Sequence, residues 1–290
     1  MAETDHGVRV RAARFDAAAA HYDEAAVLHR EVGARLVERF ELIRMEPATV
    51  LDVGAGTGAV TRELMTHYRK ARFTALDPAP AMLRLARGRA PRWRRLRGVA
   101  GRAESLPIAD DTFDVVFSNL ALQWVTDLPA AFAEVQRVLR PGGVFMFSCF
   151  GPDTLAELRA AWAGADAHAR VNTLVDMHDI GDAMARARLA EPVMDMEYFT
   201  LTYPEPRALL RELRALGSHA IDPGRPRGLT GPGRLRAMIA AYEAGRDDEG
   251  RIPATYEVIY GHAWGTGNIF RAGERAAAQP AAGTPGSSAT

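Results

Sequence analysis

The stretch Val50-Leu51-Asp52-Val53-Gly54-Ala55-Gly56-Thr57-Gly58 decides how this chain folds. An apolar run ends at an acidic residue, three glycines alternate through a turn, and a helical pattern follows. Such a layout suits a strand entering a loop whose backbone touches a ligand. A Cβ there would block close approach or forbid left-handed dihedrals. As bare spacing, Gly54, Gly56 and Ala59 satisfy the relaxed dinucleotide fingerprint, with Asp77 available for a ribose hydroxyl. Asp52 argues against that ligand, because it sets negative charge beside a turn that would have to receive a pyrophosphate. A ligand carrying positive charge is favoured.

Working outward, short apolar or β-branched runs predict strands at 49–53, 72–76, 95–99, 113–118 and 143–149. Helical patterns separate them at 59–69, 80–89 and 128–139. Strands alternating with helices imply an α/β fold with a parallel, doubly wound sheet. Leu139-Arg140-Pro141-Gly142-Gly143 is expected to end a helix and turn into the fifth strand. Upstream, residues 1 to about 8 read as a loose start, and 9–46 have helical spacing closed by Pro47. Downstream, helices are expected at 153–163, 178–188, 204–217 and 231–244, with strands at 193–202 and 254–262. We divide the chain into an N-terminal helical segment covering the site (1–46), a core (47–203), a helical lid insertion (204–245), a final core strand (246–265) and a disordered tail (266–290) rich in Ala, Gly, Pro and Ser.

Composition narrows the function. The 290 residues carry 36 basic and 36 acidic side chains, so a general nucleic-acid binder is not indicated. Lys70 is the only lysine, and arginine clusters therefore reflect composition before they reflect function. A single cysteine, Cys149, excludes an intramolecular disulfide and a multi-cysteine zinc site. No apolar run suits a membrane span and no signal-peptide core opens the chain, so a cytoplasmic enzyme is expected.

Over all its positions the opening stretch resembles the D-x-G-x-G-x-G motif of the S-adenosylmethionine (SAM) methyltransferases. That resemblance implies a class I, Rossmann-like, mostly parallel seven-stranded sheet with SAM as cofactor. Gly54, Gly56 and Gly58 would approach its aminoacyl part, and Asp52 would help to hold its ammonium. Asp77, closing the second strand, would accept the ribose hydroxyls, or cap the helix that Pro78 opens. Gly101-Arg102-Ala103-Glu104-Ser105-Leu106-Pro107-Ile108 resembles the family's adenine-flanking loop, usually G-D-A-E-x-L-P-F. Arg102 replaces the adenine-contacting carboxylate and has no acceptor; the Ala103 backbone or Glu104 would have to serve. Asp114 to Trp124 resembles the stretch that places Asn119 and Leu120 against the cofactor, with Gln123 and Trp124 beyond and Trp124 walling the reactive methyl.

A wider resemblance runs from about residue 9 to 264. Arg14-Phe15-Asp16-Ala17-Ala18-Ala19-Ala20-His21-Tyr22-Asp23, Asn119-Leu120-Ala121-Leu122-Gln123-Trp124, Gly151-Pro152-Asp153-Thr154-Leu155, Asp176-Met177-His178-Asp179-Ile180-Gly181 and Thr255 to Trp264 resemble the malonyl-[acyl-carrier protein] O-methyltransferases of biotin synthesis. Leu216-Gly217 and Gly228-Leu229-Thr230 continue the match. The resemblance implies methylation of a free malonyl carboxylate borne on acyl-carrier protein. A carboxylate is ionised at neutral pH and needs no general base; a hydroxyl or carbon nucleophile would need one, from His178, His219, His262 or a tyrosine. Tyr22 as a catalytic residue, with Arg211, Arg214 and His178 on the substrate side, would clamp the carboxylate. Because acyl-carrier protein is acidic, its docking face should be basic. The candidates are Arg84 to Arg102, and Arg207 to Arg236 on the lid, which is the better placed. Two other readings remain at this point: a quinone or polyketide methyltransferase, and a methyltransferase-like respiratory complex I assembly factor.

Overall fold

A computed structural model of the chain describes residues 2–92, 94–165, 174–218 and 231–266, with backbone alone for 2–6. Three helices come first: α1 (Ala2–Ala18), α2 (Tyr22–Ala25) and α3 (Val27–Glu41). Then follow β1 (Thr49–Val53), α4 (Ala59–His67), β2 (Arg72–Asp77), α5 (Pro80–Arg89), β3 (Leu96–Ala100) and β4 (Phe113–Asn119). A 3-10 turn at Leu122–Trp124 leads to α6 (Leu128–Val138), β5 (Leu139–Phe150), α7 (Ala156–Ala163) and α8 (Met177–Arg186). The chain continues through β6 (Ala190–Tyr203), α9 (Pro206–Ala215), α10 (Pro232–Glu243) and β7 (Ile252–Trp264).

The seven strands form one sheet in the order β3-β2-β1-β4-β5-β7-β6. Strands β1 to β5 pair in parallel, and β7 inserts antiparallel between β5 and β6. Both faces are covered, which is why all five residues of β1 are buried rather than every second one. Its residues sort by parity: Val50 joins Phe73, Phe117 and Met146 under α3, α4 and α5. Leu51 and Val53 join Val116, Phe145 and Phe147 under α6 and α8. Strand order reverses between β1 and β4, and a crevice opens at their carboxyl ends.

Several boundaries differ from the sequence reading. Helix α1 begins at Ala2, where a loose start was expected. Strand β5 takes in Leu139 to Gly143, because Leu139 pairs with Phe113 and Gly142 and Gly143 exchange backbone bonds with Gly265. Helix α7 starts at Ala156, not 153. Leu155 is left-handed, at φ 57°, and 151–154 is tied to β7: the Gly151 amide donates to the Glu257 carbonyl and the Asp153 amide to the Glu257 carboxylate. The chain reaches α9 and α10 between β6 and β7, as expected. His219, Arg225, Arg227, Gly228-Leu229-Thr230 and the tail beyond Thr266 lie outside the described residues.

Candidate functional site

At the β1/β4 switch point lies a cleft of about 1220 Å³, its mouth included. Its floor is the glycine turn. Gly54, Gly56 and Gly58 all have positive φ, at 76°, 52° and 77°. Packing demands two of them: a Cβ on Gly54 would sit 2.3 Å from the Ala121 Cβ, and one on Gly58 2.7 Å from the Ala86 Cβ. A Cβ on Gly56 would meet nothing within 4 Å. The middle glycine keeps space in the cleft clear, which is what a closely held ligand requires.

Two carboxylates flank this turn. Asp52 is buried and accepts a hydrogen bond from the Thr61 hydroxyl. Burial pushes its pKa up to about 7, against the Thr61 bond, and the charge on Asp77 adds to the rise. Asp77 accepts from the Gly56 amide at 2.9 Å and the Ala79 amide at 2.8 Å. Burial raises its pKa to about 6 despite those two amides. Asp77 thus steadies the turn and the start of α5, and its remaining lone pairs stay open to hydroxyl donors. Two poorly solvated carboxylates beside one cradle favour a cationic guest. The aminoacyl ammonium and sulfonium of SAM, with ribose hydroxyls for Asp77, match that donor set.

Strand β4 supplies the opposite wall. The Ser148 hydroxyl donates to the Asn119 side-chain oxygen at 2.8 Å, and the Asn119 amide group donates to the His29 carbonyl at 3.2 Å. Leu120, left-handed at φ 48°, donates its amide to Ser148 and is buried. Trp124 lines the cleft and meets Phe15 edge-to-face at 5.5 Å. Gln123 does not line it. Its side-chain amide donates to the Leu120 carbonyl at 2.7 Å, and the residue borders a smaller apolar pocket with Cys149, Phe150 and Ile180.

At the far end Arg102, Ala103 and Glu104 line the cleft with Arg11 from α1. Glu104 is not a free acceptor. Its Oε1 receives the Thr126 amide and hydroxyl, each at 3.0 Å, and its Oε2 lies 3.6 Å from Arg102. Although burial pushes the Glu104 pKa up, those bonds and the Arg102 charge hold it below the ordinary range.

The roof is the N-terminal segment. Val8, Arg11, Ala12 and Phe15 of α1, Tyr22 and Asp23 of α2, and His29 and Arg30 of α3 all face the cleft. Three contacts fasten it. The Ala81 amide of α5 donates to Asp16 at 2.6 Å, the Thr57 hydroxyl donates to Asp23 at 2.7 Å, and Arg89 forms an ion pair with Asp23. Gly33 lets α3 press on the core, since a Cβ there would lie 2.5 Å from Val60. Burial, with the charge of Asp77, pushes the Tyr22 phenol far above its ordinary pKa, so it stays protonated.

The predicted substrate side needs correction. Arg211 pairs with Glu205 at 3.0 Å on an exposed surface, and neither Arg211 nor Arg214 lines the cleft. His178 bonds to Asp176, which caps α8, and its side chain is 89% exposed. No described residue of 204–245 lines the cleft either; α9 and α10 pack beside α2, α7 and β6, because their apolar sides complete the core around Leu209, Met238 and Tyr242. The cations that do reach the cleft are Arg11, Arg30 and Arg102. The first arginine cluster is partly structural: Arg94 donates to the carbonyls of Met65, Tyr68 and Ala71, and Arg89 pairs with Asp23. Sequence reading gave no role to Asp16, His29, Arg30, Gly33 or Thr57; Asp16 and Thr57 lie inside recognisable motifs, but a motif does not show what its intervening residues touch. Thr57 bonds to Asp23 34 residues away, Asp16 to Ala81 65 residues away, and the His29 carbonyl to Asn119 90 residues away.

Comparison with known proteins agrees with this geometry. Residues 51–147 match the model of a methyltransferase domain. The chain is 57% identical over 254 residues to the malonyl-[acyl-carrier protein] O-methyltransferase of Halorhodospira halophila, covering 87% of this chain and 86% of that protein. Its counterpart in Laribacter hongkongensis is 51% identical over 264 residues, 88% of each chain. The fold is shared with the YcgJ protein of Bacillus subtilis at a TM-score of 0.55 and 18% identity, covering 79% of this chain and 97% of that one. A glycine cradle flanked by two buried carboxylates, in a chain this similar to such relatives over nearly its whole length, settles the family. The chain belongs to the malonyl-[acyl-carrier protein] O-methyltransferases, which are class I SAM-dependent methyltransferases.

Proposed function

We propose that this chain methylates the free carboxylate of a malonyl group borne on acyl-carrier protein, the step that masks a charge in pimeloyl synthesis for biotin. The observation that carries the reading is the pairing of the cationic-ligand cradle with a closed N-terminal roof. Among its cleft-facing groups Tyr22, His29 and Arg30 can receive an anion, while the Asp23 carboxylate is taken up by Thr57 and Arg89.

SAM, when bound, supplies an electrophilic methyl group on a positively charged sulfur. Asp52 would hold its aminoacyl end in the space that Gly56 keeps clear, Asp77 its ribose and the Ala103 backbone its adenine edge. The substrate carboxylate is its own nucleophile and needs no proton removed. What remains for the protein is alignment and exclusion of water. Asn119 and Leu120 fix one wall, while Trp124, Phe15 and Tyr22 close the other. The exposed arginines Arg207 and Arg211 of α9, the second paired with Glu205, offer an approach for an acidic carrier protein beside α2.

The test is direct. Purified protein is given SAM with malonyl-acyl-carrier protein, malonyl-coenzyme A or a quinol acceptor, and products are read by mass spectrometry. Methyl ester on the carrier-protein thioester is expected. Methylation of the quinol alone, or cofactor binding with no transfer to any malonyl thioester, would remove the proposal.

A further inference from the structure

One ring in the cleft wall has a place but no partner. His29 stands in the first turn of α3, its ring edge-on to Tyr22 at 5.7 Å and to Phe150 at 6.1 Å. Its Nδ1 is enclosed, and among the described residues none hydrogen-bonds the imidazole. The backbone around it is nonetheless pinned, because the His29 carbonyl accepts from Asn119 at the mouth of β4 and Gly33 seats the next turn against Val60. A ring in the cleft lining whose enclosed Nδ1 finds no partner among the described residues leaves its other nitrogen for a ligand.

Building on the carboxylate-methylation reading, we propose that His29 is a substrate-binding residue whose Nε2–H donates a hydrogen bond to the substrate carboxylate, beside the Tyr22 hydroxyl. Enclosure of Nδ1 leaves Nε2 as the nitrogen that can meet a ligand, and a buried N–H without an acceptor is the rarer arrangement, so the proton belongs on Nε2. The groups around the ring are Tyr22, Phe150, Asn119 and the charge of Arg30. Burial, and then Arg30, push its pKa down to about 4, so the imidazole is neutral when the substrate is ionised. Two neutral donors orient a carboxylate and leave its charge on the attacking oxygen, whereas a bidentate arginine would draw that charge away. In the transfer a carboxylate oxygen bonds to the methyl carbon as the carbon–sulfur bond breaks, its electron pair staying on sulfur. No proton moves, and His29 keeps its own. The ester formed is uncharged and a weaker acceptor, so the same two donors release it.

The test compares His29→Phe, which keeps an aromatic ring without nitrogen, with His29→Gln, whose amide places an N–H near the Nε2 position. Steady-state kinetics with malonyl-acyl-carrier protein and SAM are read beside S-adenosylhomocysteine binding by calorimetry. His29→Phe should lower kcat/KM for the malonyl substrate about tenfold or more, the scale of one hydrogen bond to a charged group. S-adenosylhomocysteine should bind within about twofold of wild type, and His29→Gln should recover most of the loss. Equal loss in both variants, or a parallel loss of cofactor affinity, makes His29 structural and overturns the proposal. A wild-type protein that yields no ester from malonyl-acyl-carrier protein overturns the substrate reading, and this inference with it. Active wild type with unchanged His29→Phe overturns the inference alone. Should His29→Phe not fold, nitrogen-labelled histidine in the wild type decides by NMR. The Nε2–H tautomer should be present and its signal should move when malonate is added to the S-adenosylhomocysteine complex; an Nδ1–H tautomer or an unmoved signal refutes the role.

Discussion

Each glycine of the turn answers a different physical demand. Gly54 and Gly58 are fixed by neighbours on the protein side, Ala121 and Ala86, and Gly56 by space on the ligand side. Gly54→Ala should therefore unfold the turn and lower thermal stability. Gly56→Ala should cost only the left-handed strain of about 1–2 kcal/mol, yet weaken cofactor binding sharply; thermal melts beside calorimetry with S-adenosylhomocysteine separate the two. Asp52 makes a prediction about pH. Its folded pKa of about 7 lies above the ordinary carboxylate value, so the ligand-free protein holds that proton more tightly than the unfolded chain does. Its contribution to stability is complete in acid and is lost as pH rises toward about 7. An ammonium-bearing ligand reverses the preference, so cofactor affinity should climb over the same range with proton release on binding. Calorimetry in buffers of different ionisation enthalpy reads this directly. Asp52→Asn should abolish the proton release and weaken affinity by roughly ten- to hundredfold, the value of a charge-assisted bond.

Among elements, the N-terminal helices act as a fastened roof. Their sequence gave helical spacing without a reason to sit over the crevice; the reason is electrostatic and lies in residues far along the chain. Asp23 binds Thr57 on the turn and Arg89 on α5, while Asp16 takes the amide of Ala81 at the start of α5. Removing Asp23 should loosen the roof without melting the sheet. Asp23→Ala is expected to speed hydrogen exchange in α1 and α2 and to raise the KM for SAM about five- to tenfold, with the melting temperature changed by only a few degrees, since one ion-pair network at a half-exposed site contributes about 1 kcal/mol. Unchanged exchange in α1 would show that the apolar contact of Phe15 with Trp124 suffices to hold it.

For the whole molecule, the sheet is locked where its antiparallel strand enters. Glu257 of β7 is buried, and its carboxylate takes the Asp153 amide at 2.8 Å while Thr154 bridges its backbone. Two of the sequence stretches that resembled the family outside the cofactor motifs, 151–155 and 255–264, are thus two sides of one joint that fixes β5 to β7. Glu257→Ala takes the acceptor from the Asp153 amide and leaves a void against Gly151. It should destabilise the fold by about 2–4 kcal/mol, read by denaturant unfolding, with the KM for SAM unaffected in the folded fraction.

Much of this architecture was legible beforehand because its signals are local. The periodic runs and the glycine turn are local patterns, so the doubly wound core follows from the sequence alone, whereas the bond of Asp77 to the Gly56 amide 21 residues away shows only in the structure. The segments that misled lacked such closure. Arg211 and Arg214 looked like a substrate clamp because charge is visible in sequence and direction is not; their helix turns them outward, away from the cleft. Glu104 looked like a free acceptor until Thr126 was seen to occupy it. The roof, the placing of His29 in the cleft wall and the Glu257 joint were decided only in three dimensions, since each depends on groups brought together across long stretches of chain by the closing of the sheet.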